Sequence, residues 1–208
     1  MALPEQAFAP GTLLTPPFKG GRPYVAAADI LRAVEAVLCT GLQTTGKLSV
    51  EFRQVVNGCL QIVSGHGADA PVRLRWCDES TAQIFSLERM TGAAPRTSNA
   101  LPPYVLQAND RGDALTLTEL GGHANLFECV VDAAKRLLPA PDSQSQWLVR
   151  STELNLRLTP QPGLQYSLSH EALRGGLMRW SVDDLDGCRL LSLVSLVSVL
   201  GKPQHPVN

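Results

Sequence analysis

Glu119-Leu-Gly-Gly122-His123-Ala-Asn125 gathers a carboxylate, a glycine turn, an imidazole and an amide in one short stretch. It leads into a run whose apolar members are Leu126, Phe127, Val130, Val131, Ala134, Leu137 and Leu138. That spacing predicts a helix with one buried face, from Asn125 to Leu138. The first N–H groups of a helix lack intrahelical acceptors and lie at the positive end of its dipole, where developing negative charge is stabilised. The combination suits acyl transfer, which needs a base or nucleophile beside donors aimed at an oxyanion. Asn125-Leu-Phe-Glu128 also has capping-box spacing, so Asn125 can cap the helix and Glu128 close the box.

The elements that must hold these residues occur twice. Phe18-Lys-Gly-Gly-Arg-Pro23 precedes a second amphipathic segment carrying Val25, Ala27, Ile30, Leu31, Val34, Val37 and Leu38. Strands are predicted over Lys47 to Val63 with a break at Asn57-Gly58, then Val72 to Trp76 and Ala82 to Leu87. In the second half, a strand from Ala114 to Glu119 leads into the Asn125 helix. Strands follow over Leu148 to Leu158, Leu164 to Leu173, Leu177 to Val182 and Arg189 to Leu200. Arg75-Trp76 matches Arg179-Trp180, Gly58 matches Gly163, and Ser86-Leu87 matches Ser192-Leu193 in nearly constant offset. A duplication is the reading: repeats over 12–92 and 111–204, joined by a Pro-, Ala- and Ser-rich linker over 93–110. Each half is α+β, a helix followed by antiparallel strands that bury it.

Composition narrows the function classes. A chain of 208 residues with formal net charge −1 has no global field to recruit nucleic acid or an anionic membrane. The longest apolar stretch, Leu190 to Leu200, is too short to span a bilayer and carries Ser192, Ser195 and Ser198. The five cysteines are scattered and odd in number, with no CxxC pair and no histidine at zinc spacing. Reduced thiols and a cytoplasmic location are expected, without metal. No GxGxxG, P-loop or GxSxG occurs, so no cofactor is expected. Asp183, Asp184 and Asp186 lack the loop glutamate of a calcium site and read as turn formers.

Glu119-Leu-Gly-Gly122-His123-Ala-Asn125 resembles the acidic-x-x-Gly-His-x-Asn signature of hotdog acyl-CoA thioesterases of the 4-hydroxybenzoyl-CoA type, with glutamate in place of the usual aspartate. Gly122-His123-Ala-Asn125 followed by Leu-Phe-Glu128 is similar to the start of the central helix in FcoT-like long-chain acyl thioesterases. Phe18-Lys-Gly-Gly-Arg-Pro23 resembles the phenylalanine-x-glycine-x-proline motif of hydroxyacyl-carrier-protein dehydratases, although Pro17 stands where those carry histidine. The resemblance implies a double hotdog, with two antiparallel sheets each wrapping a central helix and joined edge to edge. It implies hydrolysis of an acyl thioester of coenzyme A or acyl carrier protein, and leaves pairing into a homodimer open. In that chemistry Glu119 is base or nucleophile, His123 donates to the thioester or leaving sulfur, and Asn125 orients water. Gly121 and Gly122 let the backbone approach the substrate, and Glu128 belongs to the substrate-binding set.

Two alternatives stand beside hydrolysis. Dehydration of a 3-hydroxyacyl thioester would need His123 to face a carboxylate from the other half, Asp29 or Glu35. A duplicated hotdog without chemistry would bind only acyl chains or a partner protein.

Overall fold

The computed structural model describes residues 6–20, 24–38, 46–92, 94–97, 100–109, 112–119, 122–138 and 145–199. The first half contains β1 (Leu13–Leu14), β2 (Phe18–Lys19), α1 (Ala27–Val37), β3 (Lys47–Phe52), β4 (Cys59–Ser64), β5 (Val72–Cys77) and β6 (Ala82–Met90). After β7 (Arg96–Thr97) come β8 (Tyr104–Asn109), β9 (Gly112–Leu117), α2 (His123–Leu137), β10 (Ser145–Asn155), β11 (Gln165–Ala172), β12 (Leu177–Asp183) and β13 (Arg189–Val199).

Alternation in the strands decides which face each residue takes. Leu48, Val50 and Phe52 of β3 point inward with Val72, Leu74 and Trp76 of β5, while Ser49, Glu51, Arg73 and Arg75 lie on the other face. Helical spacing does the same for the apolar stripes. Ile30, Leu31 and Val34 of α1 and Leu126, Phe127 and Val130 of α2 are buried against the inward face. Each such side chain, fully buried, contributes about 1.5–3 kcal/mol of transfer free energy. The helices touch and run antiparallel. Arg32 meets Asn125 and Glu128, whereas Glu35, one turn later, meets Ala124.

All strands but β2 and β7 form one antiparallel sheet in the order β1-β4-β6-β5-β3-β10-β13-β12-β11-β9-β8. The sheets of the two halves, expected to meet edge to edge, are continuous as one large antiparallel sheet carrying two helices. The cause is the pairing of β3 with β10, Glu51 opposite Ser151 and Lys47 opposite Asn155, which joins the halves by backbone hydrogen bonds and leaves neither strand as an edge. β8 falls inside the segment read as linker. Its Tyr104-Val-Leu-Gln-Ala-Asn109 run follows Pro102-Pro103 and pairs with β9, Tyr104 opposite Leu117.

The halves differ in strand order. In the second half β11, β12 and β13 are successive neighbours, and β13 lies beside β10. In the first half β6 lies between β4 and β5, so β4 and β5 run parallel, and β5 takes the place beside the seam. The chain reaches β5 by crossing β6 with residues 65–71 on the face away from the helices. Buried Ser86, flanked by the core residues Phe85 and Leu87, anchors that crossing: its hydroxyl donates to Gly65 O at 2.8 Å and accepts from Gly67 N at 2.6 Å. A Cβ at Gly67 would stand 3.1 Å from Ala70 Cβ and 3.2 Å from a Glu88 oxygen, so the close crossing favours glycine there. Trp76 and Trp180, matched in sequence, are both buried but occupy different strand positions relative to the seam.

Candidate functional site

The start of α2 is filled by protein. Gly122 is the N-cap residue and supplies no side chain, so the cap comes from α1: Ala124 N donates to Glu35 Oε2 at 2.9 Å. A Cβ on Gly122 would stand 3.1 Å from the same carboxylate oxygen, so a side chain there would push on the Glu35 contact. His123 is buried, its Nδ1 3.2 Å from Glu35 Oε1. Its Nε2 lies 2.8 Å from Leu158 O and 3.1 Å from Asn155 O. Carbonyl oxygens only accept, so Nε2 carries a hydrogen and donates. Both ring nitrogens thus face protein acceptors.

The other residues singled out in the sequence separate. Glu119 is exposed and borders neither principal cavity. Gly121 lies outside the described residues. Asn125 does not cap the helix: it sits inside the first turn, and its Oδ1 accepts from Arg32 Nη2 at 3.0 Å. The capping-box reading fails because the helix starts two residues earlier, at His123. Asp184 behaves as a turn former, accepting from the N–H groups of Asp186 and Cys188.

Between the helices lies a charged cluster. Lys19 pairs with Glu128 and stands 3.5 Å from Asp29, while Arg32 binds Asp29 at 2.7 Å and Glu128 at 2.9 Å. Two cations thus balance two carboxylates. Asp29 and Lys19 are buried, and Asp29 Oδ2 has no hydrogen-bond partner. Burial raises the Asp29 carboxyl above its ordinary value, against the opposing pull of Lys19 and Arg32.

Glu128 also borders a cavity of about 280 Å³. Its walls include Ala26, Ala27, Ala28 and Ile30 at the start of α1, Phe127 and Val131 of α2, Phe52 and Val149, with Arg53, Lys135 and Arg150 beside them. Ala26 makes no side-chain cap, so the first N–H groups of α1 lack both intrahelical partners and a cap from that residue. Among the described residues no side chain caps the first N–H groups of α1, whose start borders the cavity, whereas Glu35 fills the start of α2. Lys19 and Arg32 escaped the sequence reading because their significance lies in long-range contacts. Glu128 was read in the sequence both as closing a capping box and as part of the substrate-binding set.

No protein-family model and no curated protein matches the chain in sequence. Solved structures do match its course. Thioesterases and dehydratase domains are what it resembles. The tesB protein of Mycobacterium avium subsp. paratuberculosis is 10% identical over 90% of this chain and 91% of that one, with TM-score 0.47. The dehydratase domain of RzxB from Pseudomonas fluorescens is 13% identical over 93% and 90%, with TM-score 0.46. Acyl-CoA thioesterase II TesB2 from Mycobacterium marinum is 11% identical over 84% and 88%, with TM-score 0.42. Among the described residues no helix is long and apolar enough to cross a membrane.

Proposed function

We propose that the chain is a double hotdog whose two halves, near the boundaries 12–92 and 111–204, share one sheet, and that it hydrolyses an acyl thioester of coenzyme A or a carrier protein. The observation that carries this reading is the juxtaposition of Glu128 with a cavity, apolar on one side and charged on the other, at the start of α1. The acyl chain lies along Ile30, Phe52, Phe127 and Val131. Glu128 removes a proton from water, whose oxygen forms a bond to the thioester carbonyl carbon. N–H groups at the start of α1 stabilise the resulting oxyanion. Collapse breaks the carbon–sulfur bond, and the proton passes to the departing thiolate, leaving a carboxylic acid and a free thiol. Lys19 and Arg32 hold the carboxylate in place, and Asn125 positions Arg32.

The site at Glu119, His123 and Asn125, with Gly121 and Gly122, is the rival location for the same reaction. Dehydration has one observation in its favour: His123 does face a carboxylate from the other half, Glu35, at 3.2 Å. Neither residue borders the cavity, which favours a joint between the halves over proton shuttling. Turnover of an acyl thioester by Glu128→Gln tests the leading reading; an unimpaired variant refutes it.

A further inference from the structure

A second depression, about 400 Å³, lies astride the seam of β3 and β10, bordered by residues of the outward sheet face. The cross-strand register places Arg73 opposite Glu51, Glu51 opposite Ser151, Ser151 opposite Val194, and Val194 opposite Arg179. Arg73 and Arg179 therefore flank the groove, four strand spacings or about 19 Å apart. Arg75 is on the same face as Arg73, about 7 Å along β5. His66, on the segment that crosses β6, adds an imidazole to the wall nearest these two arginines. Ser49, Ser151 and Ser192 are small enough to leave the groove open and offer hydroxyl groups.

Internal pairing engages the arginines only in part. Arg73 Nε is buried without a hydrogen-bond partner, and its Nη2 makes only a long contact, 3.4 Å, to Gly67 O. Arg75 is exposed. Arg179 holds Glu171 at 2.7 Å through one nitrogen, Nη1. Glu51 and Glu153 interrupt the positive charge. A continuous acidic protein surface would meet repulsion from both glutamates. A small molecule with separated phosphates and neutral polar groups between them fits the alternation, and guanidinium groups bind phosphate oxygens through paired N–H donors. The volume falls in the range of about 300–1,000 Å³ usual for small-molecule sites.

Groove and cavity are bordered by successive residues of the same two strands, at the point where β3 ends. Phe52 and Arg53 border the cavity and Glu51 the groove; Arg150 borders the cavity and Ser151 the groove. We propose that the groove is an anion site for the phosphate end of a nucleotide-borne acyl thioester, the acyl end of which occupies the cavity. This rests on the acyl-thioester reading of the cavity, but the groove is testable separately.

The probe is adenosine 3′,5′-bisphosphate, titrated calorimetrically into the full chain at low ionic strength. Saturable binding, weakened at least tenfold in the double variant Arg75→Glu/Arg179→Glu and absent with adenosine, is the expected result. Equal binding by both proteins, or none by the wild type, overturns the site. Binding of an acidic carrier protein instead of the bisphosphate, lost in the double variant, also overturns it. In turnover, the KM for an acyl-coenzyme A should rise at least tenfold relative to that for a phosphate-free N-acetylcysteamine thioester. If no thioester is turned over while the bisphosphate still binds, the hydrolytic reading fails and the anion site stands.

Discussion

Glu35 of α1 grips the first turn of α2 with both carboxylate oxygens, one 3.2 Å from His123 Nδ1 and the other accepting Ala124 N–H at 2.9 Å. The contact links the two halves at the point where the sequence motif led us to expect substrate. A carboxylate at a helix start is held by the unpaired amide and the dipole, so it stabilises the fold while excluding another anion.

Removing that carboxylate should therefore weaken the whole domain. Glu35→Ala is expected to cost about 1–3 kcal/mol, the scale for stranding a buried donor that had a charged partner. Glu35→Gln, which keeps one acceptor oxygen, should cost less. Urea denaturation of the three proteins checks this, and a change below about 0.5 kcal/mol for alanine, the range of ordinary surface substitutions, would contradict it.

Asp29 supplies a pH signature. Its carboxyl is raised above the ordinary 3.8, chiefly by burial. A raised carboxyl contributes stability that is complete below the unfolded value and is lost as pH rises through the folded one. Asp29→Asn removes that titration. The stability of the variant relative to wild type should increase as pH goes from about 4 to 7. Urea midpoints at several pH values test the sign, and a relative stability that falls over this interval would reject it.

Thiol reactivity should follow burial. Cys129 is buried, its Sγ 3.6 Å from Pro102 O, and burial, followed by the charges of Glu128 and Asp132, pushes the thiol up to about 12. It stays protonated at pH 8, and the thiolate is the nucleophile. Cys188 is exposed. Iodoacetamide at pH 8 should label Cys188 first and reach Cys129 only after unfolding. Peptide mass mapping showing equal early labelling of the two would refute this.

Much of the secondary structure was legible because it depends on local periodicity. The helix stripes of α1 and α2 and the strand alternation of β3 and β5 are fixed by which side chains must leave water. The break at Asn57-Gly58 falls between β3 and β4, as the turn residues implied. The exchange of β5 and β6 was not legible, since the crossing depends on Ser86 meeting Gly65 and Gly67 and leaves no periodic trace. The motif around Gly122 does mark a helix start. Which of two similar starts stays open depends on Glu35, far away in sequence, and on Ala26 providing no cap. Lys19 was equally invisible, because nothing local shows a lysine tucked between two helices.

The decisive measurement compares acyl thioester hydrolysis by wild type, Glu128→Gln and Glu119→Gln at pH 7 under saturating substrate. Loss of a general base lowers rates by about 100- to 10,000-fold. We predict a fall of that size for Glu128→Gln and a change of less than about threefold for exposed Glu119→Gln, well short of a lost general base. The reverse pattern, with Glu128→Gln active and Glu119→Gln inert, would put the chemistry at the start of α2 and contradict the account.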